Sequence, residues 1–163
     1  KFILGIYMEF RNASNLLELK ASYQILTKLE EAYPDFYDWY WNKVVPGILT
    51  KQDQLILAYI KNELVGISIL KNNPNEKKLR ALRITEKFQS KGYGLYLIDE
   101  SLKRLETDKP LCSVSNKMID DYSRIFINRY KFDLTYVYKN LYTKDSLEYE
   151  FNGQRELKNK TNY

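Results

Sequence analysis

The segment 89–94, Q-S-K-G-Y-G, joins an alternating apolar run to an amphipathic stretch. The alternation predicts a strand, and apolar spacings of three and four predict a helix after it. The first turn of a helix leaves about four backbone N–H groups unpaired, at the positive end of the helix dipole. Gly92 and Gly94 would let a ligand approach that backbone closely. The junction therefore predicts a phosphate site, to which Lys91 and the Gln89 amide would add polar contacts.

Several other chemistries are excluded by the residue types. The junction has neither the third glycine of a dinucleotide fingerprint nor the Gly-Lys-Ser/Thr of a P-loop. The chain has no histidine, which excludes Ser-His-Asp and Cys-His catalysis and argues against a transition-metal site. A plain turn and helix cap is the structural alternative for the two glycines.

Composition sets the class of protein. The single cysteine, Cys112, cannot form an internal disulfide, so we expect a buried thiol and a reducing, cytoplasmic compartment. No apolar run approaches the roughly 18 residues of a membrane helix, so no membrane partner is expected. The net charge of +5 is scattered along the chain and favours anionic partners only mildly.

The elements that must position the junction follow an order of β-α-α-β-β-β-α-β-α-β-β. This order predicts an α/β fold with a central mixed, mostly antiparallel sheet flanked by helices. Strands 77–84 and 111–115 are predicted to lie parallel and adjacent, joined by the helix 92–106. Residues 1–153 are predicted to form one domain, followed by a polar tail, 154–163. The other predicted strands are 2–9, 54–61, 64–71, 134–139 and 147–151, and the other helices are 16–32, 35–45 and 119–130.

The junction resembles the (Gln/Arg)-x-x-Gly-x-(Gly/Ala) motif of the GNAT superfamily of acyl-CoA N-acyltransferases, whose element order is also similar. The resemblance implies an acetyl-CoA-dependent N-acetyltransferase that needs no metal. The backbone of segment 89–94 would hold the pyrophosphate of coenzyme A, and the strand before it would pair with the pantetheine arm. The next strand would splay away to admit the thioester. The implied coenzyme A residues are Ile84, Thr85, Gln89, Ser90, Lys91, Gly92, Tyr93, Gly94 and Asn116, with a turn or helix N-cap as an equal alternative for Asn116.

The resemblance implies an amine acceptor, which calls for a general base. A lysine-type amine is almost wholly protonated at pH 7, and a base contributes about 10²–10⁴-fold. Without histidine, the weak candidates are Glu76, Glu86 and Asp120, and a surface ion pair is the commoner role for a residue of each kind. The identity of the base is left open.

The sequence departs from the family at the general acid. Many members carry a Tyr-x-x-x-Gly-Phe pattern on the last helix, whose tyrosine protonates the leaving thiolate. Aligning Phe132 with that phenylalanine puts Ile127 at the tyrosine and Lys131 at the glycine. Ile127 cannot donate a proton. Either another residue such as Tyr130 acts weakly, or no acid is needed, or activity has been lost.

The segment 33–41, Y-P-D-F-Y-D-W-Y-W, has six aromatics in nine residues. Helical spacing puts Phe36 and Tyr40 on one stripe that can serve the core. Tyr37, Trp39 and Trp41 lie off that stripe, which suggests an aromatic wall for the acceptor. The alternative is that Phe36, Tyr40 and one of the two tryptophans belong to the core.

The sequence leaves three functions open. The leading one is acetyl transfer to a primary amine of a small molecule or peptide. The second is a toxin-like acetyltransferase acting on aminoacyl-tRNA, and the third is a catalytically idle acyl-CoA-binding or interaction module. A homodimer is left open.

Overall fold

The computed structural model describes residues 2–3 and 6–153, with side chains from Tyr7 onward. The predicted tail, 154–163, lies outside the described residues. The strands are β1 Phe2–Ile3, β2 Ile6–Asn12, β3 Asp53–Ile60, β4 Glu63–Asn73, β5 Glu76–Ile84, β6 Cys112–Ser115, β7 Leu134–Lys139 and β8 Leu147–Phe151. The α-helices are α1 Leu16–Leu26, α2 Phe36–Trp39, α3 Val45–Leu49, α4 Tyr93–Leu105 and α5 Ile119–Ser123.

The described strands form two sheets, in two compact units whose boundary falls between Pro110 and Leu111. The first sheet has the order β1-β2-β3-β4-β5 and the second β6-β8-β7, and every described strand pair is antiparallel. The predicted α/β class with a mostly antiparallel sheet flanked by helices is confirmed. The predicted parallel pairing of strands 77–84 and 111–115 is wrong, because β5 and β6 belong to different sheets. A single domain over 1–153 stays a prediction.

Strand β4 is the centre of the first sheet. Residues 65–70 are all buried, so both faces of β4 are covered, as a continuous apolar run requires. Helix α4 lies against β4 and β5. The side chain of Ser68 meets that of Ser101 at 2.9 Å, and Asn72 donates to the Arg104 carbonyl at 3.0 Å. These contacts fix the position of α4 relative to β4.

The helices of the first unit differ from prediction in their turns. Helix 16–32 is α-helical only to Leu26 and continues as a 3₁₀ segment, Thr27–Glu31. The helix predicted to end near Pro46 instead runs on to Leu49, through a π-helical turn at Tyr40–Val44. Proline has no N–H to give to the preceding turn, and a wider turn before it accommodates that loss.

The second unit packs its helical segment against one face of the β6-β8-β7 sheet. Phe126 lies 5.1 Å from Phe132 and 5.4 Å from Phe151, ring centre to ring centre. Cys112, predicted to be buried, is 2% exposed. The helix predicted over 119–130 is α-helical only to Ser123 and then π-helical over Arg124–Arg129.

Candidate functional site

The junction between β5 and α4 has the predicted strand-to-helix form. A 3₁₀ turn, Glu86–Phe88, leads into the glycine segment, and α4 begins at Tyr93. Gly92 is the N-cap residue of α4 with φ of +80°, in the left-handed region that favours glycine. Within the described residues no side chain caps this helix end. The Leu95 N–H donates to the Gly92 carbonyl at 3.1 Å, and the earlier N–H groups of the first turn are directed outward at the positive end of the dipole.

The two glycines differ in what surrounds them. A Cβ built at Gly92 would meet no atom within 4 Å, so the space beside this residue is open. A Cβ at Gly94 would lie 3.7 Å from the Cγ1 atom of Ile84, which is ordinary contact. Gly92 is thus required by its backbone conformation, whereas Gly94 adjoins the end of β5.

The structure uses the side chains of Gln89 and Lys91 to hold the loop itself. The Gln89 Nε2 atom donates to the Ile84 carbonyl at 2.9 Å, and the Lys91 Nζ atom donates to the Lys87 carbonyl at 2.8 Å. Ser90 between them has φ of +58°. Both ammonium groups of the loop lie over the Phe88 ring, with Lys87 at 5.4 Å and Lys91 at 5.8 Å.

The end of β5 is tied to β4. The Thr85 N–H donates to the Val65 carbonyl at 2.9 Å, and its hydroxyl lies 3.2 and 3.1 Å from the carbonyls of Leu64 and Val65. Because β5 is the last strand in the order of the first sheet, its other edge has no strand partner in that sheet. Such an edge can pair with an extended ligand.

Asn116 is part of the second unit. Its backbone N–H donates to the Leu147 carbonyl at 2.9 Å, and its side-chain oxygen accepts from the Leu147 N–H at 3.3 Å. Asn116 therefore extends the pairing of β6 and β8 by one residue. This matches the turn role that the sequence left as an alternative.

Two of the three acidic candidates for a general base are paired with lysines. Glu76 lies at the opposite end of β5 from Ile84, about 26 Å away at a rise of 3.3 Å per residue. Its ion pair with Lys71 holds the pKa of the Glu76 carboxyl below its usual range, which disfavours proton abstraction. Glu86 adjoins the junction but is exposed and pairs with Lys28. Asp120 is exposed on α5.

The position aligned with the family's tyrosine is exposed. Ile127 lies in the π-helical segment and is 44% exposed. Tyr130 is half-buried and packs on Phe132, with ring centres 5.7 Å apart. Its place beside the aromatic cluster of the second unit is compatible with a structural role.

The aromatic segment splits three ways. Tyr37 is 57% exposed and touches Tyr23 edge-on, with ring centres 5.7 Å apart. Trp41 packs on Tyr23 and on Tyr40, which is fully buried. Trp39 contacts a residue of β5, since the guanidinium of Arg80 lies over its ring, 5.0 Å from the ring centre. Only Tyr37 therefore presents most of its ring to a partner.

Sequence reasoning missed a buried ion pair between Asp53, which is 5% exposed, and Arg80. Arg80 is the extra residue of a β-bulge in β5, since Ala81 pairs with Ile69 and Leu79 with Leu70. The sequence does contain a sign of the bulge. Apolar residues alternate at Leu79 and Ala81, but the next one is Leu82 rather than residue 83, so the two-residue period shifts by one.

The comparisons with known proteins place the fold. No protein-family model matches this sequence, and no curated protein matches it significantly. Solved structures do match. The ribosomal-protein-S18-alanine N-acetyltransferase of Escherichia coli aligns with a TM-score of 0.69 at 14% identity, over 89% of this chain and 92% of that one.

Two further matches were solved with the coenzyme. The PaiA N-acetyltransferase of Thermoplasma acidophilum, in complex with coenzyme A, aligns with a TM-score of 0.63 at 16% identity, over 88% of this chain and 98% of that one. A GNAT-family acetyltransferase of Elizabethkingia anophelis, with acetyl-CoA bound, aligns with a TM-score of 0.61 at 16% identity, over 88% of this chain and 96% of that one. The chain therefore has the fold of the GNAT acetyltransferases, as the motif predicted.

Proposed function

We propose that the protein is an acetyl-CoA-dependent N-acetyltransferase whose acceptor is a primary amine. The observation that carries this proposal is the end of α4, where Gly92 adopts φ of +80°, no described side chain caps the helix, and the space beside the glycine is open. A helix end of this kind favours a phosphate group. The fold supports the same reading, since solved structures of similar fold were obtained with coenzyme A or acetyl-CoA.

The residues present fit the coenzyme. The backbone N–H groups of the segment 89–94 would hold the pyrophosphate, and Lys91 would add positive charge beside it. The free edge of β5 near Ile84 would receive the amide groups of the pantetheine arm. When bound, acetyl-CoA supplies an acetyl group activated as a thioester.

The reaction needs little from acid–base groups if the reactants are well oriented. The neutral amine nitrogen attacks the acetyl carbon, the C–S bond breaks, and the proton lost by the amine ends on solvent or on the leaving thiolate. A thiol pKa near 8.5 makes that leaving group tolerable without a dedicated acid, which suits Ile127 at the position of the family's tyrosine. Orientation can itself supply several powers of ten in rate.

Other solved structures of the same fold are named for amine substrates. They include an aminoglycoside 6'-N-acetyltransferase and the spermidine/spermine N-acetyltransferase of Vibrio cholerae. An amine acceptor for this chain is consistent with that range. Incubation with labelled acetyl-CoA and panels of small amines, peptides and charged tRNA, read by mass shift, would identify the acceptor.

Calorimetry with coenzyme A tests the site directly. Gly92→Asp and Gly94→Asp each place a carboxylate where phosphate is expected, and we expect each to abolish measurable binding. Asn75→Asp adds the same charge in the exposed turn at the far end of β5 and should leave the affinity unchanged. Wild-type affinity in both glycine variants would overturn the assignment. Coenzyme A binding without turnover on any acceptor panel would favour an idle binding module.

A further inference from the structure

The two edge strands of the second sheet, β6 and β7, differ in how far they are covered. Every residue of β6 is buried or half-buried, with Cys112 only 2% and Ser115 only 4% exposed. In β7, Leu134–Lys139, every residue is exposed except the half-buried Tyr138. Among the described strands none pairs with the outer side of β7, which is called the β7 edge below. The β7 edge is therefore open to a further strand.

Apolar side chains reach solvent on both faces of β7. Leu134 pairs with Phe151, so the two side chains lie on the same face of the sheet. Phe151 is fully buried and packs on Phe126, whereas Leu134 is 49% exposed. The helical segment therefore covers β8 on this face but does not extend over β7. On the opposite face, Tyr136 is 47% exposed.

The backbone of β7 offers hydrogen-bonding groups at the β7 edge. The Asn140 N–H, one residue beyond β7, donates to the Ser146 carbonyl of the neighbouring chain segment at 2.8 Å. Hydrogen-bonded and non-hydrogen-bonded pairs alternate along an antiparallel ladder. Residues of β7 an even number of positions before Asn140 therefore direct their N–H and C=O groups toward β8. Val137 and Lys139 direct theirs outward, to the β7 edge.

The sequence of β7 fits a second copy of itself. Two strands related by a two-fold axis run antiparallel, so the start of one lies beside the end of the other. Asp133 directly precedes β7 and Lys139 ends it, so opposite charges would meet at both ends of the pair. With the axis at Val137, Tyr136 of one copy lies opposite Tyr138 of the other. These two rings are 4.7 Å apart within one chain, and the pairing would extend them to a row of four.

We propose that the β7 edge is an interface between two copies of this chain, paired antiparallel about Val137 into one continuous sheet. Val137 of each copy would exchange N–H···O=C bonds with Val137 of the other. The ten residues after Gly153 have one aliphatic side chain, Leu157, and lack the apolar alternation that would suit them to this edge. The proposal requires neither coenzyme A nor acetyl transfer.

The interface should be small. A β-bulge at Thr135 interrupts the register of β7, which limits regular pairing to the stretch from Tyr136 onward. Such an interface buries less than the about 800 Å² per partner of a standard one, so we expect a dimer with a Kd in the micromolar range or weaker.

Sedimentation velocity on the full chain, from about 1 μM to about 1 mM, tests the proposal. We expect a change from monomer to dimer within this range. Val137→Lys places two like charges directly opposite each other and should weaken the dimer about tenfold or more. The matched control is Leu49→Lys, which adds the same charge at a 75% exposed leucine of the first unit and should leave the dimer unchanged.

A second variant and a second measurement locate the contact. Val137→Pro removes the outward N–H while leaving the hydrogen bonds between β7 and β8 in place, and it should also abolish the dimer. If Val137→Pro fails to fold, Val137→Lys decides the outcome alone. Hydrogen exchange followed by NMR should show the Val137 amide protected only at high protein concentration, and the Tyr138 amide protected at every concentration.

Two results would overturn the proposal. One is a wild-type chain that stays monomeric over the whole concentration range, including the case in which the Val137 amide is protected throughout because another segment covers the β7 edge. The other is a dimer that persists unchanged in Val137→Lys, which would place the interface elsewhere on the molecule.

Discussion

Arg80 donates from one nitrogen, Nη1, to both carboxylate oxygens of Asp53, at 2.9 Å each. The pair links the bulge of β5 to the start of β3. Gly47 lies directly against it, since a Cβ there would come 1.9 Å from Asp53 Oδ2. The face of Trp39 covers the guanidinium. One ion pair therefore joins β3 and β5 to α2 and α3.

Removing one partner of this pair should be costly. We expect Arg80→Leu to lower the free energy of unfolding by about 3–5 kcal/mol, because it leaves the buried Asp53 charge uncompensated. The exposed pair Lys87–Glu63 is the control, and Lys87→Leu should cost no more than about 1 kcal/mol. Urea unfolding measures both. If Arg80→Leu lowers the free energy of unfolding as little as Lys87→Leu does, the buried ion pair does not stabilise the fold in the way described.

Gly66 and Gly94 should respond oppositely to alanine. A Cβ at Gly66 would lie 2.6 Å from Ile84 Cδ1 and 2.9 Å from the Arg83 carbonyl, so Gly66→Ala should cost about 1–3 kcal/mol through overpacking. Gly94→Ala makes an ordinary contact and gains helix propensity, so its melting temperature should hold or rise. Thermal unfolding of the two variants compares them. Equal destabilisation would show that the close approach of β4 and β5 can relax.

Glu18 predicts a dependence of stability on pH. A hydrogen bond from the Ser14 N–H, followed by the Arg11 guanidinium, holds the pKa of Glu18 below its usual range despite some burial. A depressed carboxyl pKa contributes stability that is present above the unfolded pKa, near 4.5, and is lost as pH falls through the folded value. Glu18→Gln should therefore lower the melting temperature at pH 7, with the difference shrinking below pH 4.

The control for that experiment is Glu9→Gln, whose side chain is exposed on β2. Its difference from wild type should stay small at every pH. If the melting temperature of Glu18→Gln stays below that of the wild type by the same amount down to pH 3, the carboxylate charge is not what stabilises the start of α1.

The aromatic segment should separate by function under an alanine scan. Tyr37→Ala should change the melting temperature little, since the ring is 57% exposed, and on the proposed function should raise the acceptor KM without altering acetyl-CoA affinity. Trp41→Ala removes a ring packed on Tyr23 and Tyr40 and should cost about 3 kcal/mol. Early melting of Tyr37→Ala would assign the whole segment to the core.

Much of the fold was accessible from the sequence because its signals are local. The amphipathic helix after Gly92 and the strands Leu134–Lys139 and Leu147–Phe151 lie where periodicity predicted them. The separation of β5 from β6 was missed by pairing rules, since a strand–helix–strand connection normally predicts parallel neighbours. Only the resemblance to a family indicated that these strands part.

The side-chain partners could not be predicted in the same way. Gln89 was expected to face a ligand, but it reaches back to the Ile84 carbonyl, and that depends on the path of the loop. The ion pair of Asp53 with Arg80 spans 27 positions and becomes visible only once three strands are in register.

The solitary thiol of Cys112 gives this protein a built-in kinetic reporter. It is 2% exposed, so an alkylating reagent can reach it only when the structure around β6 opens. The labelling rate at rising urea therefore measures the free energy of that opening. The two tryptophans, Trp39 and Trp41, both lie in the first unit, so their fluorescence reports the unfolding of that unit. Comparing the fluorescence with the labelling rate of Cys112 shows whether the two units unfold together or one before the other.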